Sequence, residues 1–214
     1  MRKFITFEGG EGSGKSTQAK LLFKSIKKVY QKTILTREPG GTIQSEKIRK
    51  ILVSKSNMKF DAITELFLVN AARNEHLKKL IIPELKNNKI IICDRFIDST
   101  YAYQIIAQNI DKKIFEGLNK LILKDIFPSI TFLIDIEPAI GIERSLKGKK
   151  KETKYEELSI NFHKKVRKAF KKLSQSEQRI KVLDGRLNIK QIHKKIIDEI
   201  NKSEIFYKKI HYDI

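Results

Sequence analysis

This 214-residue sequence predicts an α/β fold, with a five-stranded parallel sheet covered by helices on both faces, and three observations carry that prediction. Five short runs rich in β-branched and aromatic residues recur along the chain, longer segments with apolar residues at helical spacing separate them, and a glycine-rich loop directly follows the first run. Alternating strand and helix patterns produce parallel neighbours joined by right-handed crossovers, and a parallel sheet needs cover on both faces.

The first run, Phe4 to Phe7, leads through the glycine-rich loop into a helical pattern over Gln18 to Val29. Thr33 to Thr36 reads as the second strand, and a long helical pattern follows over Ala62 to Leu85. Ile90 to Cys93 is the third strand, then Ile114 to Leu123 is helical and Ile130 to Ile134 is the fourth strand. His163 to Leu173 has helical apolar spacing with lysines between, Ile180 to Leu183 is the fifth strand, and Ile189 to Ile200 closes the pattern as a helix.

With 40% hydrophobic residues the chain can bury one core but not two. One domain is expected over 1–202, with a tail at 203–214 whose Ile205, Phe206, Tyr207, Ile210 and Tyr212 should pack on the body. The charged stretch from Lys147 to Lys154 has no apolar anchor and reads as a surface flap, a short lid at about 147–156. No segment approaches the length of a membrane span and the start reads as a strand, so a cytoplasmic protein without a membrane partner is expected. The single cysteine, Cys93, lies in an apolar run and reads as buried. The +20 formal charge is compatible with nucleic acid or with nucleotides, but lysines spread over helical segments usually mark a solvated face, and no nucleic-acid motif accompanies them.

Gly9-Gly10-Glu11-Gly12-Ser13-Gly14-Lys15-Ser16-Thr17 matches G-x-x-x-x-G-K-[ST] between a strand and an amphipathic helix. Its glycines let main-chain N–H groups turn inward on phosphate oxygens, and the helix adds the positive end of its dipole. Lys15 would bridge the outer phosphates of ATP, Ser16 would hold Mg²⁺, and Thr17 would help at the α-phosphate. The motif establishes nucleotide binding and leaves the reaction open. A guanine-reading Asn-Lys-x-Asp is missing, since Asn119-Lys120 and Asn201-Lys202 are followed by other residues.

Two further segments fall at strand ends, where an open α/β sheet binds ligands: Thr36-Arg37-Glu38-Pro39-Gly40-Gly41-Thr42, and Asp94-Arg95-Phe96 continuing through Ser99-Thr100 and Tyr103-Gln104. Together with the phosphate loop and Ala71-Ala72-Arg73 they stand in the order and spacing of the thymidylate kinases. The chain resembles the bacterial type of that family over all but its last dozen residues. The resemblance implies a nucleoside monophosphate kinase fold, transfer of the γ-phosphoryl of ATP·Mg²⁺ to dTMP, and a homodimer packed through helices.

It also implies roles. Arg37 and Arg95 clamp the acceptor phosphate, Arg73 reaches the thymine carbonyl edge, and Thr100 reads the N3 side. Tyr103 walls off the 2′ carbon with Gln104 and Ser99 beside it, and Glu11 binds the 3′-hydroxyl. Asp94 supports Mg²⁺, and Arg144 stacks on adenine. The family aromatic that stacks on thymine is replaced by Val69. Phe67, two residues earlier and about 200° round a helix, is expected in the core instead. The lid carries lysines where arginines are usual, and Lys154 is the candidate for meeting the transferred phosphoryl. The four histidines, His76, His163, His193 and His211, are expected to pack or lie at the surface. A dUMP kinase and a nucleic-acid-stimulated ATPase remain as alternatives.

Overall fold

All five apolar runs become strands in the computed structural model of the chain, which describes residues 3–53, 60–147, 155 and 158–212. They are β1 (Phe4–Glu8), β2 (Thr33–Arg37), β3 (Ile90–Asp94), β4 (Ile130–Asp135) and β5 (Ile180–Asp184), all parallel, in the order β2-β3-β1-β4-β5. Every strand continues one residue beyond its apolar run, and the added residue is always charged: Glu8, Arg37, Asp94, Asp135 and Asp184. The main-chain ladder outlasts the hydrophobic signal by one position, which places a row of charges at the carboxyl edge.

The helices are α1 (Lys15–Val29), α2 (Ile43–Val53), α3 (Ala62–His76), α4 (Ile82–Lys86), α5 (Ile97–Thr100), α6 (Lys112–Ile122), α7 (Pro138–Lys147), α8 (Ile160–Ser176) and α9 (Ile189–Lys202). The long helical pattern at Ala62 to Leu85 is interrupted by a π-turn at Leu77–Ile81, where Ile82 N–H bonds back to the Leu77 carbonyl. A second π-turn, Tyr101–Ile106, extends α5. Such turns add a residue per loop of helix and often re-aim side chains beside functional sites.

Strand alternation divides the core into two layers. Phe4, Ile91 and Cys93 face α3, α6 and α8 with Leu66, Phe115 and Phe170, whereas Ile5, Phe7, Ile90 and Ile92 face α1 and α9 with Leu22, Ile26, Ile196 and Ile200. Ile205 and Ile210 of the tail join the second layer. The tail is also held by the paired amide bonds of Asn201 with the Ile210 main chain, both 2.8 Å, and by Phe206 against Tyr30 at 5.1 Å. Phe67 departs from expectation: its side chain is exposed rather than in the core, as is Ile63 one turn before it. The turn of α3 buries Leu66, Val69 and Asn70, so positions 63 and 67 fall on the outer face.

From β1 the chain moves outward to β2, returns to β3, and then crosses to β4 and β5 on the other side. Connections that diverge in this way open a crevice at the carboxyl ends of the central strands. Among the described residues, no helix is long and apolar enough to cross a membrane.

Candidate active site

The glycine-rich loop occupies the carboxyl end of β1. Gly9, Gly12 and Gly14 have φ of 145°, 63° and 93°, and a Cβ at Gly12 would lie 1.8 Å from the Gly141 carbonyl oxygen of α7. Only glycine fits there, because the conformation is left-handed and the neighbouring backbone leaves no room. The loop curls until Lys15, the first residue of α1, points back over it with Nζ 3.1 Å from the Gly10 carbonyl oxygen. Burial and the nearby Arg95 guanidinium lower the Lys15 ammonium below its usual range, against the pull of Glu11 and Asp94. Thr17 is exposed at the first turn of the helix, and the Ser13 hydroxyl is buried without a protein partner.

Asp94 ends β3 and takes a hydrogen bond from the Ser16 hydroxyl on Oδ2, while its buried Oδ1 has no protein partner. A serine oxygen and a carboxylate with a spare lone pair form a hard donor set suited to a magnesium ion that keeps most of its ligands from phosphate and water. The residues therefore fit Mg²⁺.

Arg95, with φ of 69°, directs its guanidinium across the cleft mouth. Nη1 donates to the Gly9 carbonyl oxygen at 3.1 Å and to Ser99 Oγ at 3.0 Å, and Nη2 donates to Glu11 Oε1 at 2.7 Å. The Tyr103 hydroxyl donates to the same Glu11 oxygen at 2.8 Å, and its ring lies 4.9 Å beneath the Arg95 guanidinium. Burial pushes the Glu11 carboxyl up, but Arg95 and then Lys15 outweigh it and hold the pKa at about 2. Tyr103 is fixed by edge contacts with Tyr155, Phe162 and Phe170 at 5.6, 6.1 and 6.3 Å.

Arg73 is only 1% exposed, yet its Nη1 has no protein partner. Its Nε donates to Glu38 at 2.7 Å and its Nη2 to Thr100 Oγ1 at 3.0 Å. Gln104 donates to Glu65 at 2.8 Å from the same wall. Arg37 is the outermost member, half-exposed and paired with Glu46 at 3.0 Å.

Lys15, Ser16, Asp94 and Glu11 thus share one cavity of about 650 Å³ with Arg37, Val69, Arg73, Arg95, Ser99, Thr100, Tyr103 and Gln104. Arg144 does not line it; its Nη1 donates to the Gly185 carbonyl oxygen at 2.8 Å, on the α7 side of the phosphate loop. Lys154 and the rest of the lid other than Lys147 and Tyr155 lie outside the described residues.

Three groups were not read from the sequence as site residues. Glu38 lines the cavity floor and is hydrogen-bonded to His76, which lies fully buried behind it. The Arg73-x-x-His76 spacing, one turn of α3, was the available signal. Glu8 takes bonds from Phe96 N at 2.8 Å and Ser99 Oγ at 2.5 Å, so it anchors the turn that carries Arg95. Burial and the neighbouring Asp98 push the Glu8 carboxyl up to about 8.

Comparison with known proteins yields a consistent result. Residues 7–196 match the family model described as thymidylate kinase. The chain is 45% identical over 203 residues to the thymidylate kinase of Wolbachia pipientis wMel, covering 92% of this chain and 99% of that one. It is 44% identical to the thymidylate kinase of Sulfurihydrogenibium sp. (strain YO3AOP1), covering 94% and 98% respectively. The crystal structure of thymidylate kinase from Ehrlichia chaffeensis superposes with a TM-score of 0.74 at 36% identity, over 92% of this chain and 97% of that chain.

Proposed function

Because the chain belongs to the thymidylate kinase family, and is thereby an ATP-dependent nucleoside monophosphate kinase that makes dTDP from dTMP, we propose that the 650 Å³ cavity is where the transfer takes place and assign its residues roles. The observation that carries the assignment is the meeting of Lys15, at the head of the phosphate cradle, with Arg95 and the unpartnered Arg73 nitrogen in that single cavity.

In this reading the triphosphate lies along the loop from Gly9 to Thr17, with Lys15 against its outer phosphates and Arg144 toward the base. The dTMP phosphate lies between Arg37 and Arg95, whose planar forks match phosphate oxygens two at a time. One phosphate oxygen of dTMP attacks the γ-phosphorus in line as the bond to ADP breaks. A phosphate dianion needs no general base, so the chain's contribution is positioning and positive charge. Ser16 and Asp94 would hold Mg²⁺, which supplies further charge neutralisation on the phosphates when bound.

Glu11 and Tyr103 face the sugar. The free 3′-hydroxyl can donate to Glu11, and the Tyr103 ring leaves no room for a 2′-hydroxyl. Arg73 Nη1 supplies a hydrogen bond to a carbonyl on the base, beside Thr100, and Val69 contributes apolar contact in place of ring stacking. Losing that stacking removes about 0.5–1.5 kcal/mol. Lys154 is the lid cation we assign to the transferred phosphoryl, and unchanged kcat in both Lys154→Arg and Lys154→Ala would clear it. The exposed Ile63 and Phe67 on α3 support a homodimer through that helix, which sedimentation of wild type and Phe67→Lys tests. We place the enzyme in the cytosol.

The deciding experiment is ADP release with ATP, magnesium and a panel of monophosphates, with and without DNA. ADP formation with dTMP, weaker formation with dUMP and none in the other arms is expected. Turnover driven by DNA in the absence of a monophosphate would overturn the reading.

A further inference from the structure

At the cavity floor, hydrogen bonds run through four buried side chains, Thr36, Glu38 and Arg73 in the lining and His76 behind it. Arg73 Nε donates to Glu38 Oε2 at 2.7 Å, and His76 Nδ1 donates to Glu38 Oε1 at 3.0 Å. The other ring nitrogen, Nε2, lies 2.7 Å from Thr36 Oγ1. Gly41 packs directly on this end of the chain, because a Cβ there would come within 2.5 Å of both His76 Nε2 and Thr36 Oγ1. The Gly41 N–H donates to Glu46 Oε1 at 3.0 Å, and Glu46 Oε2 takes the hydrogen bond from Arg37.

We propose that His76 is a positioning residue for base recognition: its Nδ1–H locks the Glu38 carboxylate, and that carboxylate aims Arg73 into the acceptor pocket. The inference rests on the kinase reading above. A glutamate carboxylate turns about three torsions and is fixed only when both oxygens are engaged, here by Arg73 on one and His76 on the other. Arg73 has donors and no acceptor, and its Nη1 is the one buried donor of the group with no protein partner. It therefore rewards a carbonyl oxygen on the incoming base and offers nothing to an amino group. Burial opposes ionisation of Glu38, but Arg73 and His76 outweigh it and hold the carboxyl below its usual range, in keeping with a charged hinge between them. His76 itself lies outside the cavity lining. Its influence falls on acceptor binding and on the choice between 4-oxo and 4-amino pyrimidines, and leaves the ATP side alone.

The two nitrogens of the ring can be tested separately. In His76→Asn the side-chain amide nitrogen falls near the Nδ1 position and keeps the bond to Glu38; in His76→Gln it falls near Nε2 and keeps only the Thr36 bond. Steady-state kinetics on the full chain should give a dTMP KM within about threefold of wild type for Asn. For Gln, a rise of about tenfold is expected, with the ATP KM unchanged and the preference for dTMP over dCMP reduced, the pattern of lost acceptor binding. Equal dTMP KM values for Asn and Gln, or a parallel rise in both substrates' KM, overturn the proposal. Should His76→Gln not fold, Glu38→Gln replaces it, since a neutral amide cannot accept from both partners. A dTMP KM for that variant equal to wild type also overturns the proposal. Wild-type enzyme inactive with dTMP would instead sink the kinase reading itself.

Discussion

The donor half of the cleft is built from main chain and the acceptor half from side chains. Around the triphosphate cradle, shape comes from three glycines at positive φ, with Lys15 as the chief side chain. Across the cleft, Glu11, Arg95 and Tyr103 form one group and Glu38, Arg73 and His76 another, each held by hydrogen bonds of 2.7–3.0 Å, with a ring contact in the first. The first half recognises phosphate, which is common to every nucleotide, so backbone amides suffice. The second must tell one nucleotide from others, and that requires directional groups from distant parts of the chain. It follows that the donor half should be fragile to backbone change and the acceptor half to side-chain chemistry.

The largest expected effect breaks the acceptor half. Arg95→Ala should lower kcat/KM for dTMP by about 10²–10³ while leaving ATP affinity within a few-fold, because it removes the phosphate clamp and the ion pair to Glu11. Turnover within a few-fold of wild type would remove Arg95 from the clamp. Next comes the opposite test: Gly12→Ala places a methyl group against the Gly141 carbonyl in a left-handed conformation, and should cost about 3 kcal/mol or more, seen as a melting temperature lowered by roughly 5–10 °C and impaired ATP binding.

A site outside both halves serves as a control on their electrostatics. His193 is buried between α1 and α9, with Nε2 3.1 Å from Ser25 Oγ, and burial lowers its pKa to about 4. Since the folded value lies below the unfolded one, the unfolded chain binds the extra proton first. Its stabilising contribution is complete above about pH 6.5 and falls as the pH drops toward 4, by of order 2 kcal/mol. Urea titrations of His193→Leu should show a shallower loss over that window, and an identical slope would contradict the burial argument. The smallest effect sharpens the specificity of the acceptor half. Tyr103→Ala should narrow the preference for deoxyribose over ribose acceptors by about tenfold, as read from kcat/KM with paired monophosphates, and an unchanged ratio would free Tyr103 of that role.

The same contrast explains what the sequence makes legible. The donor cradle is contiguous, from Gly9 to Thr17, so its glycine spacing alone reveals it. Strands were legible because a buried parallel sheet needs unbroken apolar runs, and each was read one residue short because its last residue is charged, so the apolar signal ends before the main-chain ladder does. Helix α2 gave little pattern, since Ile43 and Ile51 are exposed while Ser45 and Leu52 are buried. Phe67 was misread for the same reason, an aromatic on the outward face of α3. Arg73, Arg95 and Tyr103 could be named from the family resemblance. The Glu38–His76 link could not, because it joins the end of β2 to the end of α3 and exists only once both are packed.

Cys93 lies fully buried at the end of β3, its Sγ 3.0 Å from the Arg95 carbonyl oxygen, and burial pushes its thiol far from the reactive thiolate. Since it is the only cysteine in the chain, slow labelling of this chain by maleimides and similar reagents is the expected outcome. Any cysteine introduced at the surface becomes a unique attachment point for a fluorophore, and ligand binding in the cleft can be followed without first removing a background.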